Sequence, residues 1–192
     1  MNISAARLNV AAWLSITTAV LTIPILMLSV AIETGVELGR FPAFAARATN
    51  GLLTVCSAAL FVYVFSTLRV LLEERYSFHS TSGLLRFLIG MNVLLGGLSV
   101  IGILSPAIDN VADWLSMIAI IPFGICFIGL GIKLLRLPQN LHGMLKPFSY
   151  TAIASGFCFA TILFIPIAVL VGAANDIILA IIFFRESEAE AA

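Results

Sequence analysis

The chain has 192 residues, of which 61% are hydrophobic and only 10% charged, with a mean hydropathy of +1.12; soluble globular domains carry roughly 25% charged residues. Zero formal net charge excludes the basic surface that nucleic-acid binding needs, so no nucleic-acid partner is expected. Several apolar runs of about 20 residues or more leave a polytopic, all-α bundle of membrane helices as the fold class, in one transmembrane domain over 1–192.

The first span is predicted over 10–32. At 23 residues this apolar region exceeds the roughly 7–15 of a signal-peptide core, so it reads as a retained span with Trp13 near the interface and Pro24 inside. A loop over 33–47 follows, carrying Glu33, Glu37, Arg40 and Arg47 among the breakers Gly35, Gly39 and Pro42. The second span is predicted over 49–72, with Arg69 and Glu73 four apart on one helix face. The third, over 84–104, is rich in glycine and holds Asn92, Gly96 and Gly97, which suit close helix packing and an interhelical hydrogen bond. Ser105-Pro106 ends it, and a short loop with Asp109 and Asp113 leads to a fourth span over 114–135, with Pro122 inside and Lys133 and Arg136 at its end.

The last apolar run, Phe148 to Phe184, is 37 residues long and contains one charge, Asp176. Small residues recur at every fourth position: Ala152, Gly156 and Ala160, then Ala168 and Gly172, in a shallow stripe where another helix can approach. The expected form is a fifth span over 148–171, kinked at Pro166, with a helical continuation to 184 and an external acidic tail over 185–192. Two short spans turning near Pro166 form a weaker alternative, because no polar turn residue lies there. Trp-Leu-Ser occurs at Trp13 and Trp114, but the flanking identities are too few for a repeat.

The Lys and Arg residues place the N-terminus in the cytoplasm, with His79 and His142 on that side and Asp109 outside. The bacterial inner (cytoplasmic) membrane is the expected location. Arg69, Arg75 and Arg86 form a cluster that can meet anionic lipid headgroups, although the same charges also serve as the topology signal. Cys56, Cys126 and Cys158 lie deep in apolar runs with no CxxC pair and read as small buried hydrophobes. No metalloprotease, nucleophile-elbow, P-loop or dinucleotide motif is present, so neither an enzyme nor a cofactor or metal is expected.

Two functions from different classes follow. The first is a non-catalytic membrane protein that assembles with itself or with other membrane subunits. It rests on small size, glycine-rich helices and the small-residue stripe. The second is a small transporter or channel using Asp176 as an intramembrane ion or proton site. An ionisable residue inside a span and three helix-internal prolines support it. Asn175 is rotated by about 100° from Asp176 on a helix and need not share its site.

Overall fold

The computed structural model describes residues 3–161 and 164–191. Among the described residues six α-helices follow in order: α1 (Ala5–Glu37), α2 (Ala43–Glu74), α3 (Ser82–Leu104), α4 (Pro106–Leu134), α5 (Leu145–Ala160) and α6 (Ile165–Ala191), with a 3-10 turn at Leu141–Gly143. The chain is a helical membrane bundle. Among the described residues, five helices are long and apolar enough to cross a bilayer: α1, α2, α3, the Trp114–Leu134 part of α4, and α6 from Pro166. With 16 residues, α5 is about 24 Å long, short of a typical hydrocarbon core.

Local chemistry sets the helix ends. Ser4 caps α1 by accepting from the Arg7 amide at 3.4 Å. At the other end of α1 the Arg40 amide reaches back to the Gly35 carbonyl at 2.8 Å, and Gly39 takes the left-handed conformation (φ 67°) that this wrapped ending requires. The first loop therefore shrinks to residues 38–42. Between α3 and α4 only Ser105 is non-helical. Its extended backbone precedes Pro106, which opens α4 where a missing N–H costs nothing. The segment expected as a loop to Asp113 is thus the start of α4, and Asp109 and Asp113 lie on that helix.

The final apolar run differs most from expectation. It is not one kinked helix with a span over 148–171; it is two helices, α5 and α6, joined across 161–164. The Thr161 hydroxyl turns back to the carbonyls of Phe157 (2.9 Å) and Cys158 (3.2 Å) at the end of α5. Pro166 stands in the first turn of α6, where proline opens a helix instead of kinking one. Leu163 lies outside the described residues.

Each helix packs on its neighbour in sequence, and α6 closes onto α1, so the six form a ring. The pairing is antiparallel throughout. Gly51 faces Ile103 while Gly96 faces Ala58 across α2 and α3; Gly131 faces Ser149 while Gly124 faces Gly156 across α4 and α5. Thr151 pairs with Asn175 across α5 and α6, and Ser187 reaches Ala5 across α6 and α1. An even count of antiparallel helices brings both termini to one end, the terminal end; the opposite end is the loop end.

The half of the ring nearer the termini is solid. Leu68, Leu72, Leu85, Leu88, Leu130, Leu134, Phe148 and Phe183 are fully buried there. Phe61, Phe65, Phe123 and Phe127 join α2 to α4 across the interior, with Phe61 stacked on Phe65 at 4.1 Å and Phe65 edge-on to Phe127 at 5.7 Å.

The tightest seam is between α4 and α5. A Cβ on Gly124 would stand 2.6 Å from the Gly156 carbonyl oxygen, and one on Gly156 would stand 2.5 Å from the Gly124 oxygen. Both obstacles are backbone and cannot swing aside. A Cβ on Gly172, by contrast, meets nothing within 4 Å. Gly156→Leu should therefore cost at least about 1–3 kcal/mol, and Gly172→Leu should be tolerated. Thermal unfolding in detergent compares them; equal midpoints would contradict the seam.

Candidate functional site

The half of the ring nearer the loop end holds a half-open cavity of about 570 Å³. α1 contributes Thr18, Thr22 and Ser29 to its wall, α2 contributes Thr54 and Ser57, α3 contributes Asn92 and Ser99, and α4 contributes Ser116. These polar positions share the wall with Leu21, Ile25, Leu26, Leu53, Leu60 and Leu95, so the lining is mixed and mainly apolar. Val169 brings α6 to the wall, and Phe61 links the cavity to the aromatic cluster below it.

A second cavity of about 580 Å³ lies at the loop end, lined by Glu33, Glu37, Arg47 and Asn50. Thr54 and Ser99 line both cavities, so the charged mouth adjoins the polar interior. The α1–α2 seam beside them is the loosest in the ring.

Most of the hydroxyls are already donating. Thr18 bonds to the Leu14 carbonyl at 2.9 Å, Thr22 to that of Thr18 at 2.7 Å, Thr54 to that of Asn50 at 2.9 Å and Ser99 to that of Leu95 at 3.1 Å. This back-bonding satisfies a hydroxyl proton inside an apolar helix and leaves the oxygen lone pairs available. The amide of Asn92 donates to the Leu88 carbonyl at 3.4 Å.

Asp176 is half-buried on α6 and makes no hydrogen bond or ion pair among the described residues. It lies seven residues beyond Val169, so about two turns closer to the terminal end on the same face. Its neighbour Asn175 is 2% exposed and has a different role: its Oδ1 accepts from the Thr151 hydroxyl at 2.8 Å, tying α6 to α5.

The small-residue positions divide. Ala152 and Gly156 are buried against α4, and the Ala160 amide lies beside Gly124. Gly96 is buried, and a Cβ on it would stand 3.2 Å from the Ala58 Cβ. Gly97 and Gly172 face open space. The three cysteines are free, and among the described residues no three His, Cys, Asp or Glu side chains converge as a metal site would require.

At the terminal end, the stretch read as an external acidic tail is the last turns of α6, and Glu186 in it is fully buried. Tyr76 donates its hydroxyl to Glu186 Oε1, Arg75 Nη1 stands 3.0 Å from Glu186 Oε2, and His142 Nε2 stands 3.3 Å from Oε1. Arg75 also donates to the Glu186 carbonyl at 3.1 Å and lies 3.5 Å from Glu190. Burial, reinforced by the hydrogen bond to Glu186, pushes the Tyr76 phenol well above its ordinary range. Of the three arginines read as headgroup contacts, Arg75 is committed to this cluster and Arg69 makes a two-pronged pair with Glu73 at 2.9 and 3.3 Å. Arg86 is exposed. His142 holds a left-handed backbone (φ 53°), and its carbonyl accepts from Arg185 at 2.5 Å.

Sequence reasoning missed Glu186 because a glutamate among glutamates near a chain end carries no sign of its burial. The one available signal was helical phase, since Leu179, Ile182, Phe183 and Glu186 fall on one face. Removing a charged partner from a buried hydrogen bond costs about 1.5–3 kcal/mol. Glu186→Ala should lower the detergent unfolding midpoint accordingly, and Tyr76→Phe should lower it less. An unchanged midpoint for Glu186→Ala would show that the cluster adds nothing.

No protein-family model matches this chain, and no curated protein or solved structure is significantly similar to it.

Proposed function

We propose that the protein moves a small polar solute across the membrane through the interior of its helix ring, with Asp176 as an intramembrane ion or proton site. The observation that carries this reading is the cavity of about 570 Å³, lined by residues from five helices, eight of them polar, and backed by a closely packed apolar half. Ligand pockets run from about 300 to 1,000 Å³. Eight polar side chains directed inward serve no lipid-facing purpose, and an ionisable group inside a bundle is by default a functional position. A half-open cavity above a closely packed half would suit one state of an alternating-access carrier.

The orientation belongs to the same proposal. Eight of the ten Lys and Arg residues, from Arg7 to Arg185, cluster at the terminal end; Arg40 and Arg47 lie at the loop end. The positive-inside rule then puts both termini in the cytoplasm of a cell whose inner membrane holds the protein, with the cavity mouth outside.

A second reading, assembly with another copy, is favoured by a groove of about 360 Å³ on the outer face of α2 and α3. Val62, Val93 and Val100 surround the exposed Gly97 there. Gly97→Leu should then reduce the detergent-solubilised mass toward the monomer in sedimentation analysis, and an unchanged oligomer would remove this reading.

The transport reading is tested by thiol accessibility in a cysteine-free background. Ser57→Cys should react with an impermeant methanethiosulfonate added outside sealed cells, and His79→Cys should react only after permeabilisation. Leu68→Cys, in the apolar half, should stay unreactive. Failure of Ser57→Cys to react from either side would mean that no aqueous chamber exists.

A further inference from the structure

The cavity at the loop end carries charges of both signs that do not meet. Its volume, about 580 Å³, falls in the range of small-ligand sites. Glu33 and Glu37, one turn apart on α1, give it an acidic wall. Arg47, Asn50 and Thr54 fall at i, i+3 and i+7 on α2 and line it from the other helix. Among the described residues, neither glutamate nor Arg47 makes an ion pair or a side-chain hydrogen bond. Two polar atoms on the α2 side, Arg47 Nε and Asn50 Oδ1, are buried with no hydrogen-bond partner. Buried donors and acceptors left unpaired are costly, so such groups in a native fold call for a partner.

These charges do not hold the walls in place. The connection over 38–42 is set by backbone geometry: Gly39 is left-handed, and the Arg40 amide donates to the Gly35 carbonyl at 2.8 Å. The Phe41 ring lies over Gly35, where a Cβ would strike it. The charges are therefore free to serve an occupant, and their arrangement selects one. An anion drawn to Arg47 would lie near two carboxylates. A metal ion or simple amine drawn to the carboxylates would lie near a guanidinium. Like-charge juxtaposition disfavours both, whereas a molecule carrying both charges meets each wall with its opposite. An anionic end takes the N–H fork of an arginine, and an ammonium donates to carboxylate oxygens.

We infer that the loop-end cavity binds a small zwitterion, its carboxylate or phosphate on Arg47 and its ammonium on Glu33 and Glu37. A free amino acid and the phosphoethanolamine headgroup of a lipid share this chemistry. The site goes beyond the transport reading, because binding at the mouth needs no passage through the bundle.

The experiment uses the full chain, purified in detergent and titrated by calorimetry at low salt. The probes are glycine, 4-aminobutyrate and glycerophosphoethanolamine, with butyrate and butylammonium as analogues that keep one charge each. The best zwitterion should bind at least about tenfold more tightly than either analogue. Arg47→Ala, and separately the double replacement of Glu33→Gln with Glu37→Gln, should each weaken it by at least about tenfold. Arg40→Ala removes a loop-end arginine that does not line the cavity and should leave binding unchanged. Preference for glycerophosphoethanolamine over both amino acids assigns the lipid headgroup as the source, and the reverse assigns a free amino acid. Binding of butyrate or butylammonium as tight as that of the best zwitterion, or no binding of any zwitterion, overturns the inference. Full affinity in Arg47→Ala or in the glutamine variant also overturns it. Should a variant not fold, the comparison of probes on the parent protein still decides. Zwitterion binding by a protein whose Ser57→Cys form stays unreactive keeps this site and removes the transport reading.

Discussion

Backbone contact between α4 and α5 is the constraint on which the rest of the bundle depends. In lipid there is no hydrophobic drive between helices, so association relies on close van der Waals packing and on polar bonds between helices. At 16 residues α5 is too short to span comfortably alone. It is held by Gly124, Gly131 and Gly156, which let the two backbones meet, and by the Thr151–Asn175 bond to α6. With α5 in place the chain can reverse once more and α6 can return to pack along α1. Without it there is no closed ring.

The two ends of the ring are built from different chemistry. Toward the termini, leucine and phenylalanine fill the interior and the Phe61–Phe127 cluster braces α2 against α4. The buried carboxylate of Glu186 gathers Arg75 and Tyr76 from one chain segment and His142 from another. A charge so placed is stable only when its lone pairs are engaged, which fixes the loops that supply the donors. Toward the loop end Thr, Ser and Asn take inward positions among the leucines, and the helices part around a cavity. Small hydroxyl side chains that bond to their own helix fill less volume than Leu or Phe and offer no apolar surface for packing, so the space between them stays open.

Particular residues show where sequence reading succeeds and where it stops. Glycine spacing pointed to α5 as a packing helix, but the identity of its partner depends on three-dimensional pairing: Gly124 and Gly156 are 32 residues apart. Asn175 was assigned no role beyond its rotation away from Asp176, and its bond to Thr151 exists only because α5 and α6 are antiparallel. Arg75 looked like a headgroup contact because nothing local reveals a glutamate 111 residues later. Pro166 looked like a kink because a proline at the start of a helix and one in its middle read alike when the surrounding residues are all apolar.

The sequence by itself determined the class of the protein and most of its helices, because hydropathy and length measure each segment's own free energy in lipid and need no partner. It also determined the segregation of basic charge between the two ends. Only the tertiary structure decided that the last apolar run is a hairpin, that the six described helices close into a ring, and that hydroxyls from four of them line a common cavity. Those facts depend on which faces meet, and the free energy of a meeting face belongs to pairs of residues distant in the chain.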